Sequence, residues 1–196
     1  MGRTRRGWRR IGAHELIALE RAFRGGDSRC SPHQAAERLA ESHVGARLLR
    51  RVIASSESPE LRSAAVYGFV WGWAKSSDLA LILRIFENES EHAVVRGQAA
   101  EALGSQFESY CRPGQRRHVR LIRSLVRGLD DAAPEVRFWS IYALAQPQHT
   151  WLLPKLEVMA ATDKGECPGM WSLRQEALWA IIWISRADLD CDPRTL

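Results

Sequence analysis

The stretch Val95-Arg96-Gly97-Gln98-Ala99-Ala100-Glu101-Ala102-Leu103-Gly104 decides the fold, because it recurs. Three further segments align with it on the arginine without a gap: Leu61-Arg62 through Val70, Val136-Arg137 through Ala145, and Leu173-Arg174 through Ile182. The arginines stand 34, 41 and 37 residues apart. An apolar residue precedes each one. Three positions after it stands a small residue (Ala65, Ala99, Ser140, Ala177), and six after it another (Gly68, Ala102, Ala143, Ala180). The seventh position is large and apolar: Phe69, Leu103, Leu144, Ile181. At 100° per residue these positions share one helical face, and its small residues let neighbouring helices approach closely. A unit repeated at this period cannot bury its apolar face alone, so the copies must stack.

Working outward, second amphipathic stretches lie between the copies, at Asp78–Phe86, Arg116–Leu129 and Trp151–Ala160. Turn residues separate them: Ser76-Ser77, Arg112-Pro113-Gly114, Ala133-Pro134, and Gly165 through Gly169. The unit is therefore helix A, turn, helix B. Residues 33–53 read as one or two more helices, with Ser31 as cap and Pro32 at the first helical position. No strand-like alternation is present.

This unit closely resembles the HEAT repeat, in the bacterial HEAT-like form of phycobilisome lyases, whose helix B reads roughly Val-Arg-x-x-Ala-x-x-Ala-Leu-Gly. The match is strongest at 95–104 and covers about residues 45–187. The resemblance implies an all-α, right-handed α-solenoid of about four to five helix pairs, with A helices outside and B helices inside. It also implies that the repeat arginines pair with an acid near the preceding turn. Glu57, Glu89, Asp130 or Asp131, and Asp163 are the candidates. The expected organisation is a basic arm and leading helix at 1–30, the repeat domain at 31–190 and a tail at 191–196.

The 196 residues suffice for one buried core, and 45% hydrophobic with 26% charged residues is ordinary for a globular chain. No stretch approaches the roughly 18 apolar residues of a membrane span, so no membrane partner is expected and the cytoplasm is the expected location. Residues 1–10 hold five arginines and no acid, which accounts for the whole net charge of +5. The remainder carries 23 bases against 23 acids. Arginine outnumbers lysine 25 to three, which fits a GC-rich genome. Cys30, Cys111, Cys167 and Cys191 are too far apart for a zinc or redox motif. His14-Glu15 is followed by Ala18 where a zincin needs histidine, and no two histidines stand three or four apart. Neither a catalytic constellation, nor a metal, nor a cofactor is expected.

Two surfaces remain. On the B helices, the first, fifth and ninth positions after the arginine share a face: Ser63, Tyr67, Trp71; Gly97, Glu101, Ser105; Phe138, Tyr142, Gln146; Gln175, Trp179, Trp183. Six of the twelve are aromatic and Glu101 is the one charge, where a solvated stripe should carry Lys, Glu and Gln. Two readings stand. In one, Tyr67, Trp71, Glu101, Phe138, Tyr142, Trp179 and Trp183 bind another protein or peptide in a concave groove, with Glu101 exposed to receive a cation. In the other, adjoining helices cover the rings as core. The second surface is Arg116, Arg120, Arg123 and Arg127, at i, i+4, i+7 and i+11, with Val119, Ile122, Leu125, Val126 and Leu129 packing inward. It reads either as a solvated face paired to nearby acids or as a seat for an acidic partner or phosphates, with weak nucleic-acid contact through it and the arm. The resemblance also admits a nucleic-acid-binding protein of the alkylpurine DNA glycosylase type, with Glu101 as the carboxylate. That groove should be lined with Lys and Arg, and the twelve positions hold none.

Overall fold

A computed structural model describes residues 8–27, 29–55, 57–71, 74–107 and 112–185. Among them the chain forms ten α-helices: α1 (Ala13–Phe23), α2 (Pro32–Ala40), α3 (His43–Ile53), α4 (Pro59–Trp71), α5 (Ser76–Glu87), α6 (Ala93–Ser105), α7 (Arg116–Gly128), α8 (Pro134–Ala145), α9 (Leu153–Thr162) and α10 (Leu173–Ser185). A 3₁₀ turn, Thr150–Leu152, leads into α9. The protein is all-helical. One isolated bridge, between Glu166 and Ser172, is the only β pairing among the described residues.

The local sequence explains the helix starts. Ser31 and Gln34 cap α2 reciprocally, with Pro32 in the first turn, and Ser42 Oγ accepts from Gly45 N at the start of α3. Pro134 opens α8, its missing N–H falling where no intrahelical partner exists. Ser76 and Ser77 do not form the expected turn. The Asp78 carboxylate accepts from Lys75 N at 2.9 Å, so the helix begins at Ser76. Gly114 takes a φ of 83° in the turn before α7.

The even-numbered helices touch in chain order, α2 with α4, α4 with α6, α6 with α8 and α8 with α10. The odd-numbered ones lie against them: α1 on α2, α3 on α2 and α4, α5 on α6, α7 on α8, α9 on α10. The repeat's small residues are why this contact is close. A Cβ on Gly104 would stand 2.6 Å from Ala143 Cα, and one on Gly68 would stand 2.8 Å from the Ala36 carbonyl oxygen. Of the sixteen apolar and small positions that define the repeat, all but Leu61 and Ile181 are buried.

The arginine pairing differs from expectation by one repeat. Arg62 pairs with Glu91 at 2.7 Å, Arg96 with Asp131, and Arg137 with both carboxylate oxygens of Asp163 at 2.8 and 2.9 Å. Each arginine thus reaches the turn before the next even helix. Gly97 faces Glu135 and Trp139 while Gly104 faces Ala143, so α6 and α8 run parallel and their N-terminal ends lie side by side. Glu57 pairs instead with Arg24, at 3.1 Å. Arg174, on the last even helix, is exposed.

The arm is tied down from Trp8 onward. Its ring stacks on His43 with centroids 4.0 Å apart, Lys75 Nζ lies 5.6 Å over it, and Arg9 pairs with Glu15 at 2.8 Å. The other arm arginines, except Arg10, and the 191–196 tail lie outside the described residues.

Candidate functional site

The face of the even helices brings part of the expected site together. Trp71 Nε1 donates to Tyr67 Oη at 3.2 Å on α4, and His33 of α2 meets the Tyr67 ring edge-on at 5.0 Å. On the other side, Tyr142 of α8 stacks on Trp179 of α10 at 6.0 Å, and Trp179 on Trp183 at 6.1 Å. Between these groups α6 contributes Glu101, and Ser105 Oγ lies 3.3 Å from Tyr142 Oη.

Exposure divides the expected residues. Trp71 is 49% exposed, and Tyr67, Tyr142 and Trp183 are half-buried. Phe138 is 1% exposed and is core, packed with Cys167, Leu173 and the rings of Trp139 and Trp171. Trp179 is also buried. The segment between α9 and α10 folds back to cover Phe138, because Cys167 and Leu173 need the same apolar shelter. These two positions therefore belong to the core reading of the stripe.

Glu101 is not exposed. It is 9% exposed, and its carboxylate accepts from Gln98 Nε2 one turn earlier on α6. Among the described residues no Lys, Arg or His forms an ion pair with it. Burial pushes its carboxyl up to about 7, against a smaller downward pull from Gln98. Tyr67 senses the same acidic surroundings: its phenol is raised first by burial, then by Glu101 and Glu37. The centre of the face is thus a desolvated carboxyl group between aromatic rings, able to accept a cation or hold a proton near neutrality.

Sequence reading missed Gln98, Glu37 and His33. A signal was available. Gln34-Ala35-Ala36-Glu37 repeats Gln98-Ala99-Ala100-Glu101, which extends the register to α2 and places Glu37 in the Glu101 position.

The arginine stripe lies on α7. Arg116, Arg120, Arg123 and Arg127 are all exposed and line a groove of about 520 Å³ with Glu87, Ser124 and Val119. Val119 was expected to pack inward but is 48% exposed; Leu121, Leu125 and Gly128 form the buried face, together with Ser124. The small Gly128, against Ser140 of α8, lets α7 settle rotated toward that side. Arg120 donates twice to Glu87, Ser124 Oγ donates to Glu87 at 2.6 Å, and Arg127 donates to Ser124 Oγ at 3.3 Å. Arg120 holds the Glu87 carboxyl below the usual carboxylate range.

No protein-family model, no curated protein and no solved structure matches the chain. Among the described residues no group of three or more His, Cys, Asp or Glu side chains is placed to hold a metal, and no helix is long and apolar enough to cross a membrane. Cys167 is buried, and its thiol is pushed up to about 11 by that burial, which keeps it protonated. Cys111 and Cys191 lie outside the described residues.

Proposed function

We propose that the chain is a short right-handed α-solenoid of HEAT-like pairs that acts in the cytoplasm as a non-enzymatic adaptor or neutralising partner. Its even helices form the inner surface, which grips a basic segment of another protein. The observation that carries this reading is Glu101: a buried carboxylate close enough to Tyr67 to raise its phenol, with Gln98 as its hydrogen-bond donor and no cation paired to it among the described residues. An inserted Arg or Lys would find an ion pair in a low-dielectric site, and the ring faces of Tyr67 and Trp71 would add cation–π attraction. The register of four arginines, the parallel run of α6 and α8 and the inter-repeat ion pairs support the solenoid. A DNA glycosylase would use the same carboxylate, but none of the twelve face positions is a Lys or Arg for the phosphates, so protein binding is the reading adopted.

The test is site-specific photo-crosslinking in cells. A crosslinker at Trp71 should capture a discrete partner. One at Val158, which is 58% exposed on α9, should not. Glu101→Gln should reduce the Trp71 product at least fivefold. Equal capture at both positions, or capture indifferent to Glu101→Gln, would sink the reading.

A further inference from the structure

We propose that the groove between the end of α5 and the exposed face of α7 binds a compact oligophosphate, a small molecule carrying three or more clustered phosphate groups. Among the described residues the lining sets four guanidiniums against one carboxylate, that of Glu87, an excess of three positive charges. Its volume of about 520 Å³ falls within the ~300–1,000 Å³ of small-molecule sites. The four arginines stand about 6, 4.5 and 6 Å apart along the axis of α7, taking 1.5 Å per residue, so their planar forks can address several phosphates at once. Part of the lining is already held in place. Glu87 fixes Arg120 through both oxygens, and Ser124 links Glu87 to Arg127, so less ordering is lost on binding. Arg120 keeps the Glu87 carboxyl ionised, so the network persists across the physiological range.

A compact ligand is favoured over a nucleic-acid strand. Outside residues 1–10 the chain carries 23 bases against 23 acids, so the charge of the groove is a local excess and not part of a uniformly basic body that a strand would follow.

Calorimetric titration of the full chain at near-physiological salt tests this, with Arg3, Arg5 and Arg6 changed to Gln to remove the arm's contribution. Tripolyphosphate should bind at least tenfold more tightly than orthophosphate. A nucleoside triphosphate matching it would assign the affinity to the phosphates, and one exceeding it would assign a nucleotide; both support the site. Arg116→Glu with Arg123→Glu should abolish binding, and both residues are exposed, so the fold survives; Arg116→Gln with Arg123→Gln should weaken it at least tenfold. Glu101→Gln and Trp71→Ala should leave it unchanged, which separates this site from the even-helix groove. Binding unaffected by either double variant, equal affinity for orthophosphate, or single-stranded DNA outcompeting tripolyphosphate at equal phosphate concentration would overturn the proposal.

Discussion

Trp71 on α4 and Phe138 on α8 sit on the same stripe of the repeat, yet one is half exposed and the other is core. Helical spacing says which side chains share a face. What lies over that face is decided elsewhere in the chain. Over α8 the 163–172 segment returns and brings Cys167 and Trp171 onto Phe138; at α4 Trp71 keeps half of its surface in water. The contrast predicts opposite costs for truncation. Phe138→Ala should destabilise by about 3–5 kcal/mol, read as a lowered denaturant midpoint, because it removes a ring sealed from water and leaves a cavity. Trp179→Ala should follow it, since that ring is buried too. A Phe138→Ala protein with an unchanged midpoint would break the division between the two ends of the stripe.

Glu101 sharpens the comparison, because it lies between the two ends and shares the burial of one and the chemistry of the other. Its carboxyl titrates at about 7 when folded and near 4.5 when unfolded. The folded state therefore binds more protons between those values, and stability falls as pH climbs from about 4.5 to 7. The full cost, about 3 kcal/mol at 1.36 kcal/mol per pH unit, applies above pH 7. Glu101→Gln should be worth up to that amount in added stability at pH 8 and nothing at pH 4. A cationic partner would offset the same cost, so binding should release a proton near neutrality and tighten as pH rises. Identical stability curves for the two proteins across pH 4–8 would show that Glu101 is solvated.

The all-helical fold was legible because small residues at fixed offsets from an arginine report helix contact directly, and each predicted stretch is helical. The site was legible only in part. Tyr67, Trp71 and Tyr142 keep part of their rings in water. Phe138, Trp179 and Glu101 are covered by contacts between segments far apart in sequence, which periodicity does not encode. The ion pairs show the same limit. The acids were visible, but their assignment depends on the parallel run of α6 and α8, a property of packing.

The inter-repeat pairs give the next smaller effect. Asp163 is held below its usual pKa by Arg137, with burial opposing, and both side chains are mostly shielded from water. A depressed carboxylate stabilises above its unfolded value of 3.8 and loses that contribution as pH falls through the folded value. Asp163→Asn should cost about 2 kcal/mol at pH 7, below the range for a fully buried pair because both groups keep some solvent. The difference from wild type should vanish in acid. A variant equally destabilised at pH 7 and pH 2 would point to the Asp163 turn, whose carboxylate also accepts from Gly165 N at 2.9 Å, and not to the ion pair.

The smallest expected effect returns to Trp71. Half of its surface is already in water, so Trp71→Ala forfeits the contacts of its buried half, among them the bond that it donates to Tyr67 Oη at 3.2 Å. That loss should be about 1 kcal/mol, several-fold less than at Phe138, and a melting curve will resolve it. Tyr67→Phe separates the two contributions, since it keeps the ring and removes only the acceptor. It should cost about 0.5–1 kcal/mol if the hydrogen bond matters, and nothing if Trp71 is held by packing alone. A Trp71→Ala cost equal to that of Phe138→Ala would mean that both ends of the stripe are core. Trp71 would then be closed to a partner's cation, and the half-buried rings of Tyr67, Tyr142 and Trp183 would be all that the face could offer it.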